Sequence, residues 1–133
     1  LMCKYFIGTG TKDVDSPMWL ASTVSQMKSI ENFQIGFSRM LELSRCSEEH
    51  LCREFKKYYK TTPVKFINEQ RLSYSLYLLS NTKTEIIEIS QLCGFNNLSH
   101  FYHLFKEQFD VSPRKFRVSH QLNRAQTPFS NKY

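Results

Sequence analysis

Four cysteines and three of the four histidines are the residues of this 133-residue chain best suited to chemistry at a single atom. A zinc site would have to join His50, His100 or His103 to Cys3, Cys46, Cys52 or Cys93. No CxxC pair stands in the chain, and no ligand pair has finger spacing. Catalysis has no better footing. His50 and Cys52 stand two apart on one predicted helix and so do not face each other. A phosphate-cradling glycine loop, a nucleophile elbow and an HExxH motif are all lacking. No enzyme, metal or cofactor is therefore expected, and the cysteines read as reduced, mostly buried thiols of a cytoplasmic protein. Charge is what remains. Lys+Arg number 18 against 12 Asp+Glu, a net charge of +6. That excess suits an acidic partner: nucleic acid, anionic lipid or an acidic protein surface.

The elements that must position these charges are helical. A hydrophobic content of 41% is enough for a core, while 4 Gly and 4 Pro are too few for a turn-rich β sandwich. No apolar run is long enough for a membrane span, and no charged-then-apolar leader opens the chain. Because it begins at Leu1, it is expected to be a piece of something longer. Residues 1–16 read as a linker or the end of a preceding domain. Ser16 then caps a helix with Pro17 at its first position, and Met18, Trp19, Leu20, Val24, Met27 and Ile30 share one side. Gly36 breaks the chain before a helix from Phe37 to Arg45, with Phe37, Met40, Leu41 and Leu43 inward.

Ser47 caps the next helix, Glu48 to Tyr59, where Leu51, Phe55 and either Tyr58 or Tyr59 form the stripe. Thr61-Thr62-Pro63 opens a long one from Val64 to about Leu79. Thr84 caps a short helix from Glu85 to Leu92 with Ile86, Ile89 and Leu92 buried, and Gly94 ends it. Asn97 caps Leu98 to Phe109, and Ser112-Pro113 opens a last short helix through Phe116. The fold class is all-α, with about seven helices.

An internal repeat organises these helices. Residues 47–66 read SEEHLCREFKKYYKTTPVKF and residues 97–116 read NLSHFYHLFKEQFDVSPRKF. At an offset of 50, His50/His100, Phe55/Phe105, Lys56/Lys106, Pro63/Pro113, Lys65/Lys115 and Phe66/Phe116 are identical. The short helix before each unit matches at an offset of 49, so one extra residue lies in the second turn, at Gly94-Phe95. Each copy is a short helix, a tight turn and a longer capped helix, the outline of a helix-turn-helix. In such a motif the first helix braces against the core and the second offers its N-terminal half to a major groove, with nearby cations on phosphates.

The stretch 84–117, TEIIEISQLCGFNNLSHFYHLFKEQFDVSPRKFR, resembles the second helix-turn-helix of AraC/XylS-type transcriptional regulators. Ile86, Ile89, Ser90, Gly94, Phe95, Phe101, Phe105, Lys106, Pro113, Phe116 and Arg117 carry the likeness. In the first copy Ser47, Leu51, Arg53, Phe55, Lys56, Lys57, Thr62 and Pro63 do so, and Arg71-Leu72 and Leu78-Leu79 match the connecting helix. The resemblance spans about residues 17–118. MWLASTVSQM followed by MLELSRCSEEHLCREFKKYY is also similar to regulators of chitobiose-type oligosaccharide operons, whose N-terminal sugar-sensing cupin domain is absent here. The resemblance divides the chain into a linker (1–16), a first helix-turn-helix subdomain (17–63), a connecting helix (64–80), a second subdomain (81–118) and a flexible tail (119–133).

The chain departs from the family pattern at particular places. Lys60 and Asp110 stand where glycine often follows the recognition helix, so each must accept a left-handed conformation at roughly 1 kcal/mol. The small residue of the bracing helix is Ser90 in the second copy but Leu41 in the first, and His103 replaces the arginine that Arg53 supplies.

The resemblance assigns base reading to Glu49, His50, Cys52 and Arg53 in the first copy and to Asn97, Ser99, Tyr102 and His103 in the second. Arg53 can bond a guanine twice, Glu49 can accept from a cytosine amino group, and His103 can donate to guanine. Phosphate contacts are expected from Lys56, Lys57, Arg71, Lys83, Thr84, Lys106, Lys115 and Arg117. Several of these residues have plainer readings. Glu49 suits the helix dipole, Asn97 suits a cap, and Arg71 suits a pin of the connecting helix onto a carboxylate or onto backbone carbonyls. The connecting helix of about 16 residues spans roughly 24 Å, which suits two successive major grooves about 34 Å apart. The implied function is sequence-specific binding of double-stranded DNA and transcriptional regulation, probed against one rival, a helical protein-interaction module. RNA polymerase is the second partner an activator requires, no membrane is involved, and the location is cytoplasmic, on the nucleoid. The fragment is expected to be monomeric, with any dimerisation left to the domain it lacks.

Overall fold

A computed structural model of the chain describes residues 16–126, with side chains to residue 120. Its elements run α1 (Met18–Met27), α2 (Ile30–Ile35), α3 (Phe37–Ser44), α4 (Glu48–Tyr59), α5 (Pro63–Asn81), α6 (Ile86–Cys93), α7 (Leu98–Phe109) and α8 (Pro113–Gln126). All are helices, and no strand occurs among the described residues. The fold is the expected all-α one, with one helix more than the periodicity suggested. The apolar stripe of α1 does not reach Ile30. The chain turns at Lys28 and Ser29, and α2 follows as a separate short helix ending at Gly36. Met18 and Ile30, expected inward, are exposed, whereas Leu20, Val24 and Met27 are buried.

Packing divides the chain into two compact units whose boundary falls at Ser73/Tyr74, within α5. In the first, α1 packs on α2 and α3, and α3 packs on α4. Its core is Leu20, Val24, Met27, Met40, Leu51, Phe55, Phe66, Ile67 and Leu72. In the second, α6 and α8 each pack on α7, around Ile89, Cys93, Phe95, Phe101 and Phe105. Leu92 points outward instead of in, because Ile89, Ser90 and Cys93 already face the core.

The repeat is reproduced in the structure at the level of single hydrogen bonds. Ser47 Oγ accepts from His50 N–H at 3.2 Å, and Asn97 Oδ1 accepts from His100 N–H at 3.0 Å. Thr62 Oγ1 accepts from Lys65 N–H and Ser112 Oγ from Lys115 N–H, both at 3.1 Å. Each satisfies a donor that a helix start leaves unpaired. The aromatic cores match too. Phe55 lies 4.8 Å from Tyr59 and 5.6 Å from Phe66, ring centre to ring centre. Phe105 lies 4.6 Å from Phe109 and 6.0 Å from Phe116. Tyr59, rather than Tyr58, completes the stripe of α4.

The two turns differ by the one residue anticipated. The first leaves α3 through Arg45 at φ 58°, the second leaves α6 through Gly94 at φ 105°, and Phe95 N–H closes back on Ser90 O at 3.0 Å. Lys60 and Asp110 both adopt the left-handed conformation, at φ 62° and 68°. Two helix starts are not as expected. Pro17 rather than Ser16 caps α1, and the Ser16 hydroxyl lies 3.3 Å from the Tyr59 hydroxyl. Glu85 rather than Thr84 stands at the cap of α6, without a side-chain bond. Beyond Phe116, α8 continues to Gln126, so residues 119–126 of the expected tail are helical. The expectations for residues 1–15 and 127–133 lie outside the described residues.

Two further consequences concern stability. The Thr61 hydroxyl oxygen is buried without a hydrogen-bond partner, and the repeat places Val111 at the equivalent position. Thr61→Val is expected to stabilise the chain by about 1 kcal/mol, since an unpaired buried hydroxyl is replaced by a methyl of similar shape. Urea unfolding checks this, and an unchanged or lower midpoint would refute it. On α5, burial raises the pKa of Glu69 and Lys65 only partly offsets it. A carboxyl raised in the folded state favours folding while protonated, and this support is lost as pH rises through the folded value. Glu69→Gln should therefore raise the melting temperature at pH 7, and the gain should vanish below the carboxylate range.

Candidate nucleic-acid interface

The solvent faces of α4 and α7 are set by their buried ones. Leu51, Phe55 and Tyr59 anchor α4, and Phe101 and Phe105 anchor α7. The positions around them face outward: Glu49, Arg53, Lys56 and Lys57 on α4 are exposed, as are Ser99, His103 and Lys106 on α7. Cys52 and its counterpart Tyr102 are half-buried at the margin of these faces. Each helix thus presents a polar surface whose first turn is at the capped, positive end of the helix. Glu48 and Glu49 occupy that turn in α4; α7 has no acidic residue there.

His50 and His100 differ in setting. The His50 ring stacks on Trp19 of α1 at 5.4 Å and 24°, and its Nδ1 accepts from Arg53 Nη2 at 3.1 Å. His100 meets Phe95 edge-on at 6.2 Å and 75°. Asn97 uses its Oδ1 as the cap of α7, which accounts for the residue without a base contact. Lys57 lies over its neighbour Tyr58, 5.1 Å from the ring centre.

Residues 40–119 match the helix-turn-helix domain family. Among relatives, the xylose operon regulatory protein of Haemophilus influenzae is 30% identical over 86 residues, covering 65% of this chain and 22% of the relative. An HTH-type transcriptional activator, RhaS of an Enterobacter species, is 30% identical over 84 residues, covering 63% of this chain and 30% of its own. A solved transcriptional regulator from Chromobacterium violaceum, described as an AraC-type DNA-binding-domain protein, superposes with TM-score 0.67 at 30% identity, over 77% of this chain and 91% of that one. This chain belongs to the AraC-type helix-turn-helix family. It is a DNA-binding domain of transcriptional regulators. The fold is also that of the AdpA DNA-binding domain, solved with a target DNA (TM-score 0.71, 22% identity, 81% of this chain and 97% of that one). The chain spans about a quarter of the length of the curated relatives it matches.

Within this AraC-type domain the expected phosphate ligands fall into two groups. Lys56, Lys57, Lys83, Lys106 and Lys115 are exposed, and none of them forms an ion pair among the described residues. Arg71 and Arg117 are not presented in this way. Arg71 donates from Nε to Phe33 O at 2.8 Å and from Nη2 to Gln34 O at 3.2 Å. Arg117 donates to Thr84 O at 2.6 Å, Thr82 O at 3.1 Å and Leu79 O at 3.3 Å. In each unit an arginine from the helix after the recognition helix holds the segment that leads into the bracing helix. Of the two anchors that Arg71 suits, a carboxylate or backbone carbonyls, the structure has the carbonyls. For Arg117, expected on phosphate, the structure shows the fork turned toward backbone carbonyls. Thr84 is likewise half-buried, its carbonyl engaged by Arg117 and its N–H directed at Thr82 Oγ1 at 3.3 Å.

Two residues escaped the sequence reading. Arg114 is exposed and lines a cleft of about 410 Å³ with Glu85, Ile86, Tyr102, Arg117 and Val118. Its counterpart in the first copy is Val64, so the repeat carried no signal for it. Periodicity places Trp19 only in an apolar stripe, and no spacing rule links it to a histidine 31 positions away.

Proposed function

We propose that the domain reads an operator through the outward faces of α4 and α7, each in a segment of major groove, successive segments being about 34 Å apart. Glu49, Arg53, Cys52 and, through its ring edge, His50 serve the first segment; Ser99, Tyr102 and His103 serve the second. Lys56, Lys57, Lys83, Lys106 and Lys115 hold phosphates, joined by Arg114 beside α7. The observation that carries this reading is the recurrence, at an offset of 50, of an exposed polar pair (Glu49 and Arg53; Ser99 and His103) that alternates with fully buried anchors (Leu51 and Phe55; Phe101 and Phe105). The regulated genes are proposed to belong to carbohydrate use, on the strength of relatives named as xylose operon regulators. The intact regulator would contact RNA polymerase and take its oligomeric state from sequence beyond this domain.

A titration against random-sequence duplex tests the reading at several salt concentrations. Neutralising six or more phosphates should lower affinity by about three orders of magnitude between 50 and 200 mM salt. Arg53→Ala should cost tenfold to a hundredfold at preferred sites, about 1–3 kcal/mol for a two-bond contact to guanine, and little on random DNA. Salt-insensitive binding, or an equal loss on every sequence, would overturn it.

A further inference from the structure

Trp19 lies outside the residues 40–119 that define the family match, yet it is built into the first unit's polar face. Its indole stacks on the His50 imidazole at 5.4 Å and 24°. The same imidazole accepts, at Nδ1, a hydrogen bond of 3.1 Å from Arg53 Nη2. Arginine can only donate, so this contact places the ring proton on Nε2. One ring therefore fixes the next, and the imidazole fixes one edge of an otherwise exposed guanidinium. The other N–H groups of that guanidinium still suffice for a two-bond contact. A long side chain held in one orientation before binding loses less freedom on binding.

We propose that Trp19 is a positioning residue for sequence discrimination: stacked on His50, it holds Arg53 aimed outward from α4. This rests on the reading of Arg53 as a base reader. The device belongs to the first unit. In the second, the equivalent histidine meets Phe95 edge-on, at 75°, and His103 stands in the place of Arg53. The two units therefore hold their readers by different means, and only the first draws on α1.

The test is a ratio, from which overall folding and phosphate affinity cancel. Preferred duplexes are selected from a random pool with the wild-type chain. Affinity is then compared between the preferred duplex and one carrying a substitution at the guanine that Arg53→Ala identifies. The wild type should discriminate tenfold to a hundredfold. Trp19→Leu, which fills apolar space without a flat ring, should lose at least fivefold of that ratio while random-duplex affinity and salt slope stay put. Trp19→Phe should keep most of it. In an Arg53→Ala background, Trp19→Leu should change the ratio no further. If Trp19→Leu leaves the ratio at the wild-type value while Arg53→Ala abolishes it, the positioning role is refuted and the base-reading role stands. A Trp19→Leu loss shared equally by all duplexes, with a lower melting temperature, also refutes it. If no guanine substitution becomes indifferent in Arg53→Ala, the base-reading role falls, and this inference with it.

Discussion

Arg117→Ala lowers the stability of the second unit by roughly 2–4 kcal/mol, an effect out of scale for a surface cation. The side chain reaches the carbonyls of Leu78, Leu79, Thr82 and Thr84 at 3.5, 3.3, 3.1 and 2.6 Å. These carbonyls lie at the end of α5 and in the segment before α6, where helical bonding leaves acceptors unpaired. Charge-assisted bonds of this kind contribute about 1.5–3 kcal/mol each, less when they share one donor group. Arg117→Lys should restore only a minor part, because a single ammonium cannot reproduce a planar fork spread over four acceptors. Urea unfolding gives the magnitude, and amide exchange in α6 and α7 shows where protection is lost. A phosphate ligand would behave otherwise: the unfolding midpoint would hold, and the salt slope of DNA binding would fall by about one. That outcome would place Arg117 among the phosphate ligands.

Gly36→Ala is expected to cost about 3 kcal/mol in the first unit. Gly36 sits at φ 102°, ψ −146°, a region nearly closed to residues with a Cβ and worth about 1–3 kcal/mol of strain. A Cβ there would stand 2.6 Å from Arg71 Nη2. The guanidinium could normally swing aside, but it is held by Phe33 O and Gln34 O, so relieving the clash breaks the anchor. Strain and anchor can be separated. In an Arg71→Ala background the same substitution should cost only the backbone part, leaving a coupling of about 1 kcal/mol or more. A cost below about 1 kcal/mol in the wild type, or no coupling, would show that Arg71 does not depend on a bare backbone at position 36.

Much of this architecture was legible in the residues because it rests on local rules. Ser47 and Asn97 announce their helices by type and position, as do Thr62-Pro63 and Ser112-Pro113. Phe55 and Phe105 repeat at one offset because the cores they fill repeat. Long-range contacts were the illegible part. Arg117 looks like any basic residue on a helix until the chain brings Thr84 beside it, 33 positions away, and Arg71, although it suits a pin, gives no sign that its partner is Phe33, 38 positions away. Trp19 reads as core by periodicity, since apolar spacing cannot distinguish a ring packed inward from one laid against a histidine. The break between α1 and α2 was hidden for a related reason. Ile30 continues the apolar period, yet Ser29 Oγ and Asn32 Nδ2 both donate to Gln26 O and turn the chain there. On the outward faces of α4 and α7, the types and positions were readable, while their roles toward DNA rest on the experiments above.

The hydrogen bonds that cap the repeated helices are the same in both units, whereas the outward residues are not: Glu49, Cys52 and Arg53 answer to Ser99, Tyr102 and His103. A regulator that pairs two identical subunits meets the same surface twice and so favours a palindrome. A single chain with two unlike readers gives its binding site a left and a right. Reversing such a site would present each reader with the other's bases, so the domain would carry its own sense of direction along the DNA.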